Sequence, residues 1–306
     1  MNEPDYTGCG TDFYLAPASV AKTVNLAIRL NRPLLVEGEP GCGKTMLAAS
    51  IAAEKRLELV KIAVKSTSRA QDLLYRLNAL RRLQDAQDQA NKNAQYIYPY
   101  LQLGPLGRAI QQDKRCVVLI DEVDKGDVDF PNDLLEVLDT FSFQIDDLPL
   151  EEENDCREHN GFGRTVESTR ETQPIVVITS NREKRLPEPF LRRCLYVRLK
   201  FPETPAELTT IVRLNAATSP EKLDENLLAA AVEAFRTVRQ TALGNTQKPP
   251  TTSELIDWVR ILHWEGETVD SLRHNPCLPP YWEKLFKTMH DLDAYQTLAT
   301  GKAGQE

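Results

Sequence analysis

The run Gly38-Glu39-Pro40-Gly41-Cys42-Gly43-Lys44-Thr45 fits the pattern G-x-x-x-x-G-K-[ST] at every fixed position. It constrains the fold more than any other stretch, because the pattern has physical meaning only between a strand and a helix. Both flanks are of that kind. Pro33-Leu34-Leu35-Val36 precedes it as an apolar run, and Met46-Leu47-Ala48-Ala49-Ser50-Ile51-Ala52-Ala53 follows as a helix former. Glycines let successive backbone N–H groups turn inward around a polyphosphate, and the helix adds its positive end. Lys44 then reaches toward the β- and γ-phosphates, while the Thr45 hydroxyl suits a Mg²⁺ shell. The expected nucleotide-binding set is Gly38, Glu39, Pro40, Gly41, Cys42, Gly43, Lys44, Thr45 and Met46.

Composition narrows the class. The chain has 306 residues, 41% of them hydrophobic and 27% charged, in the range of soluble globular proteins with ample core material. Its net charge of -8 argues against non-specific binding to nucleic acid or to an anionic membrane. No apolar run has the length of a membrane span, and the first residues lack a basic stretch followed by an apolar one, so a cytoplasmic protein is expected. The six cysteines are scattered without a C-x-x-C pair, and the histidines at 159, 263, 274 and 290 show no ligand spacing. No structural zinc is expected. Cys116 and Cys194 border apolar runs and are expected as buried free thiols. Cys42, inside the glycine loop, is the thiol whose oxidation a nearby helix end would favour.

The remaining pattern alternates strands with helices. Residues 15–30 read as a helix, 33–37 and 59–64 as strands, and 69–92 as a helix free of Gly and Pro. Residues 106–112 read as a helix before the apolar strand 116–120. A helix over 129–140 and an edge-like strand over 141–145 follow. The acidic stretch 146–172 reads as a solvated loop or hairpin. Strands are expected again at 174–179 and 194–199. This order implies an open, mostly parallel sheet covered on both faces. From Pro202 onward the strands stop. Helical periodicity covers 205–217, 224–240, 252–264 and 281–298, and the tail from Thr300 reads as disordered. The composition shift divides the chain into 1–203 and 204–306.

Further motifs carry chemistry. Val117-Val118-Leu119-Ile120-Asp121-Glu122 delivers two adjacent carboxylates to the end of a strand. There Asp121 suits Mg²⁺, together with Thr45, and Glu122 suits orienting and polarising an attacking water. In Val176-Val177-Ile178-Thr179-Ser180-Asn181, Asn181 is the polar group best placed to sense a γ-phosphate or hold that water, with Thr179 and Ser180 as structural alternatives. Arg192 and Arg193, just before the last strand, suit an arginine finger that reaches a neighbouring subunit's nucleotide. The expected catalytic set is therefore Lys44, Asp121, Glu122, Asn181, Arg193 and Arg192.

Taken in this order, the motifs resemble those of an AAA+ ATPase, and more narrowly the MoxR branch. Gly104-Pro105-Leu106, the run Asp121-Glu122-Val123-Asp124-Lys125 leading into Phe130-Pro131-Asn132-Asp133-Leu134-Leu135, and Pro249-Pro250-Thr251-Thr252-Ser253-Glu254-Leu255-Ile256-Asp257-Trp258 are similar to runs of that branch. The resemblance extends from about Leu15 to Trp282. It implies a P-loop αβα core with a parallel sheet followed by a smaller all-helical lid, and a ring, usually of six subunits, with ATP and Mg²⁺ between neighbours. It also implies chaperone-like remodelling of protein partners, often with a von Willebrand factor A protein. The chain departs from the pattern where many relatives carry a lid arginine that touches the γ-phosphate: Glu254 stands at that place, and Arg260 lies further along. The resemblance suggests an insertion with pore-facing loops within 66–100, with Tyr96, Tyr98 and Tyr100 as candidate contacts there, although tyrosines at alternate positions read more readily as strand-like packing.

Two other functions compete with the remodeller. A nucleic-acid-directed motor or loader is disfavoured by the acidic balance and by the lack of a basic stripe with interleaved aromatics. A slow nucleotide-gated assembly switch stays open because the lid arginine is missing. GTP is disfavoured because no N-K-x-D run occurs.

Overall fold

The computed structural model describes residues 4–11, 14–87, 92–216 and 224–303. Among these, the strands in chain order are β1 (Leu34–Gly38), β2 (Leu59–Ala63), β3 (Tyr75–Leu77), β4 (Leu101–Leu103), β5 (Val117–Asp121), β6 (Ser142–Gln144), β7 (Thr165–Glu167), β8 (Ile175–Ser180) and β9 (Leu195–Leu199). The apolar runs β2, β5, β8, β1 and β9 lie side by side in that order as one parallel sheet. Every residue of β8 is buried, as are the first four of β5, so both faces of the sheet centre are covered. The register pairs Val36 with Thr179 and Ile120 with Ile178. That brings the carboxyl ends of β1, β5 and β8 level.

The contacts divide the chain into two units. The first holds the sheet and comprises the described residues of Met1–Thr11, with Ala16–Gly38 and Lys44–Leu199. The second comprises the described residues of Asp12–Leu15 and Lys200–Glu306, together with Glu39–Gly43.

In the first unit, helix Ala18–Leu30 leads into β1 and ends on Asn31, whose left-handed backbone returns its N–H to Ala27 and Ile28 carbonyls. Helix Lys44–Lys55 buries Leu47, Ala48, Ile51 and Ala52. The first described segment is tied to that helix. The Tyr6 hydroxyl meets Ser50 Oγ at 2.6 Å, and the Glu54 carboxylate accepts N–H bonds from Thr7, Gly8 and Gly10 at 2.5, 3.2 and 3.3 Å. Burial pushes the Tyr6 phenol up to about 12. Cys116 and Cys194 are buried, and desolvation pushes their thiols up to about 11 and about 12. Both stay protonated and unreactive near neutrality.

Four sequence expectations are corrected in this unit. The helix expected over 69–92 is broken: Ala70–Leu74 is helical, β3 pairs antiparallel with β4, and helix Ala79–Gln87 follows, with 88–91 outside the described residues. Tertiary pairing of Tyr75 with Leu103 overrides a helical composition there. The strand expected over 141–145 does not join the main sheet, because β6 pairs with β7 as a separate ribbon. The acidic stretch 146–172 supplies β7, the second arm of the expected hairpin, but is not bare loop before it, since helix Glu153–Asn160 forms between the arms. Glu152 is buried there and caps the Ile97 and Tyr98 N–H groups at 2.6 and 3.1 Å. Tyr98–Tyr100 is a 3-10 turn rather than a strand; Tyr100 is packed inside and donates to Asp85 at 2.8 Å.

The second unit is helical. Helices Pro205–Ala216, Glu225–Ala242, Thr252–Trp264, Val269–His274 and Met289–Ala303 gather around Phe235, Trp258 and Tyr295, each fully buried. Trp258 Nε1 donates to the Pro280 carbonyl at 2.9 Å, and the Tyr295 hydroxyl donates to the Cys277 carbonyl at 2.5 Å. The helix expected over 281–298 starts later than its periodicity suggests. Tyr281 takes a left-handed conformation and Trp282–Leu285 forms a 3-10 turn, so that Trp282 and Phe286 pack against Tyr295. Residues 300–303, expected in a disordered tail, are the last turn of helix Met289–Ala303; 304–306 lie outside the described residues.

Close packing at Gly107, in helix Pro105–Gln111, supplies a test of the first unit. A Cβ there would stand 2.0 Å from the Leu74 carbonyl oxygen and 3.2 Å from the Phe143 ring. Gly107→Ala is expected to destabilise by about 1–3 kcal/mol through overpacking, read as a lower denaturant midpoint at unchanged slope. Gly301→Ala, where a Cβ meets open space, serves as the control and should not destabilise.

Candidate functional site

At the carboxyl ends of β1, β5 and β8 the first unit gathers a set of polar side chains. Lys44, the first residue of its helix, is buried and donates from Nζ to the Gly38 carbonyl at 2.8 Å. The Thr45 hydroxyl lies 3.2 Å from both Asp121 oxygens. The Thr179 hydroxyl donates to Asp121 Oδ1 at 2.5 Å and accepts the Glu122 N–H at 2.8 Å. Thr179 is thus a strap between strands, and Ser180 accepts the Arg182 N–H at 3.1 Å.

Glu122 departs from the strand with φ 58° and ψ 51°, a left-handed backbone that is uncommon outside glycine and asparagine. That turn aims its carboxylate sideways. Asn181 Nδ2 donates to Oε1 at 3.0 Å, and Lys125 Nζ donates to Oε2 at 2.6 Å. Hydrogen bonding to Glu122 raises the Lys125 ammonium above its ordinary value. Asp124, almost fully buried, accepts the N–H groups of Asn181 and Glu183 at 3.1 and 2.8 Å, so the turn after β5 and the turn after β8 are fastened together. Lys184 adds a bond from Nζ to the Gly126 carbonyl at 2.8 Å. Nearby, Arg182 spans from Glu37 at 2.5 Å to the Tyr196 hydroxyl at 2.6 Å.

The glycine-loop tip belongs to the second unit. Gly41 has φ 75°, and a Cβ on it would stand 2.4 Å from that of Thr251; its carbonyl accepts the Thr252 hydroxyl at 2.5 Å. Glu39 pairs with Arg239 at 2.9 Å. The Arg239 side chain is only 8% exposed, also donates to the Pro250 carbonyl, and lies 3.4 Å above the centroid of the Phe201 ring. Burial opposes its charge while Glu39 supports it. Pro40 and Met46 are exposed, and Cys42 is half-buried.

The structure thus brings Thr45, Asp121, Glu122 and Asn181 together, and separately joins Lys44 to Gly38. Arg192 and Arg193 lie elsewhere. They end helix Glu188–Arg193 before β9, whose Leu195 is level with Leu34 and whose Leu199 is level with Gly38. Roughly 15 Å of strand separates them from the carboxyl ends. Arg193 pairs with Asp139, whereas Arg192 is exposed. Glu254 closes a capping box with Thr251 at the start of helix Thr252–Trp264, so its role is structural. Arg260 is engaged with the Asn215 carbonyl at 3.1 Å.

A sequence model of the ATPase family associated with various cellular activities (AAA) matches residues 34–203, more than half of the chain. The chain belongs to the AAA family of ATPases. As an AAA ATPase it binds and hydrolyses ATP. No curated protein sequence matches it. Its structure is similar to that of the Thermotoga maritima RuvB Holliday junction branch migration motor, at 14% identity and a TM-score of 0.47 over 92% of this chain and 69% of that one. A mutant of the same motor gives 15% identity and a TM-score of 0.48 over the same shares. Among the described residues of this AAA protein, no helix is long and apolar enough to cross a membrane.

Sequence reading missed Lys125, Asp124 and Arg239. The first two sit three and two residues beyond Glu122, a spacing that only a tight turn turns into contact. Arg239 meets a residue 200 positions away, and nothing local announces it. Arg239→Met is expected to lower stability by about 1–3 kcal/mol, since it removes from a buried position the donor that the Pro250 carbonyl and Glu39 share. Arg239→Lys should recover little of that loss, because a single ammonium cannot serve both acceptors from one plane. Denaturant melts of the three proteins check this.

Proposed function

We propose that this AAA ATPase is of the MoxR type: a ring, six subunits being the usual number, that hydrolyses ATP at subunit interfaces and remodels partner proteins, a von Willebrand factor A protein among them. In this reading residues 1–203 form the nucleotide-binding domain and 204–306 a helical lid. Residues 38–46 cradle the nucleotide. Lys44 neutralises phosphate charge, Glu122 takes the proton of the attacking water, and Asn181 holds Glu122 or that water in line. The Thr45 hydroxyl and Asp121 carboxylate, 3.2 Å apart, are hard oxygen donors that fit Mg²⁺. Bound there, Mg²⁺ supplies positive charge to the β- and γ-phosphates.

One observation carries the ring. The carboxylates stand at one end of the sheet and the arginine pair at the other, farther apart than an arginine side chain spans. An arginine from this pair serves a nucleotide only when that nucleotide belongs to a neighbouring copy. Arg193 is held by Asp139, so Arg192 is the better finger. The MoxR-like runs around Gly104 and Asp121, and from Pro249, favour the remodeller over a nucleic-acid motor, as does the net charge of -8.

Subunit mixing tests this. Glu122→Gln and Arg192→Ala should each lose at least about 100-fold in turnover, by the usual worth of a base or finger. Mixed in equal amounts they should regain activity, because an Arg192→Ala subunit beside a Glu122→Gln subunit forms one intact interface. The Glu122→Gln protein should also gain ring mass when ATP and Mg²⁺ are added. Full activity of Arg192→Ala and Arg193→Ala alike, or a monomer under all conditions, contradicts the shared site.

A further inference from the structure

Both oxygens of the Glu122 carboxylate already have donors. Asn181 Nδ2 holds Oε1 at 3.0 Å, and Lys125 Nζ holds Oε2 at 2.6 Å. The two donors differ in kind. An amide orients a carboxylate without cancelling its charge, whereas an ammonium at that distance occupies a lone pair and weakens it as a base.

The turn that carries Lys125 is fixed from below. Val123–Lys125 is a 3-10 turn closed by the Lys125 N–H to the Glu122 carbonyl at 2.9 Å. Buried Asp124 anchors that turn to the backbone of Asn181 and Glu183, and Lys184 anchors its far end at Gly126. The Lys125 side chain itself is 42% exposed, so water is a ready alternative partner for its ammonium. The backbone is held while the side chain is free to exchange.

Hydrolysis makes a definite demand on Glu122. Water oxygen bonds to the γ-phosphorus, and the bond from that phosphorus to the bridging oxygen breaks. The electron pair leaves on the β-phosphate of ADP, and the water proton passes to the carboxylate. An Oε2 engaged by an ammonium keeps a second lone pair but is a weaker acceptor of that proton.

We infer that Lys125 is a positioning residue that restrains Glu122, and that cleavage is faster when the Lys125–Glu122 ion pair opens while Asn181 keeps the carboxylate in place. The inference rests on the reading of Glu122 as the base. It assigns the Asp121-Glu122-Val123-Asp124-Lys125 run a built-in brake on turnover, with Lys125 acting through Glu122 rather than on the nucleotide.

The test is single-turnover cleavage of ATP by the full chain with Mg²⁺, beside steady-state KM and thermal midpoint, for Lys125→Met, Lys125→Arg and Glu122→Gln. Lys125→Met should raise the cleavage rate about 2- to 5-fold, the worth of an exposed ion pair, with KM and midpoint unchanged. Lys125→Arg keeps a cation at the spot and should stay nearer the parent rate than Lys125→Met. Glu122→Gln should abolish cleavage. A Lys125→Met rate equal to or below the parent, with Glu122→Gln inactive, overturns the brake and leaves the base intact. Cleavage at the parent rate by Glu122→Gln overturns both, since no base then remains to restrain.

Discussion

The Thr179 hydroxyl joins β8 to β5 at the point where both strands end. It gives its proton to Asp121 and takes the N–H of Glu122, so one side chain sets the direction of two successive carboxylates. The rest of the site follows from that tie. With Asp121 fixed, Thr45 meets both of its oxygens from the first turn of the next helix over. Beyond that amide, Glu122 leaves the strand with a left-handed backbone, and its carboxylate meets Lys125 from the turn after β5 and Asn181 from the end of β8. Parallel register is the precondition. Only strands running the same way end on the same side, and the order β2, β5, β8, β1, β9 places β8 between the carboxylate strand and the loop strand.

Much of this is legible in sequence, for identifiable reasons. Buried parallel strands have to be apolar on both faces, and Val117 to Ile120 and Ile175 to Ile178 declare themselves for that reason. The glycine loop is legible because its chemistry fixes residue types at fixed spacing. What escapes is whatever depends on partners distant in the chain. Residues 75–77 carry a helical composition yet pair with 101–103, since the cross-strand partner and not the local propensity decides. Trp282 and Phe286 sit at helical spacing, yet the core around Tyr295 takes them from a 3-10 turn instead.

Arg239 and Glu254 show the same limit in the second unit. Glu254, where many relatives carry an arginine, is used by its own helix as a cap. The buried cation near the loop comes instead from the middle of helix Glu225–Ala242, where Arg239 holds Glu39, the Pro250 carbonyl and the Phe201 ring. Desolvation of a guanidinium is costly, and three partners offset it together. A single-residue comparison at the start of the cap would conclude that no arginine attends the loop, whereas the tertiary fold supplies one from elsewhere.

The left-handed backbone at Glu122 bears on how this chain can be engineered. A side chain in that region costs roughly 1–2 kcal/mol relative to glycine. Any procedure that ranks residues by folded-state stability alone will therefore favour Gly or Asn at 122, and a thermostabilised descendant chosen that way would keep the sheet, the glycine loop and Asp121 while discarding the one carboxylate that meets Lys125 and Asn181. Position 122 has to be held constant by hand.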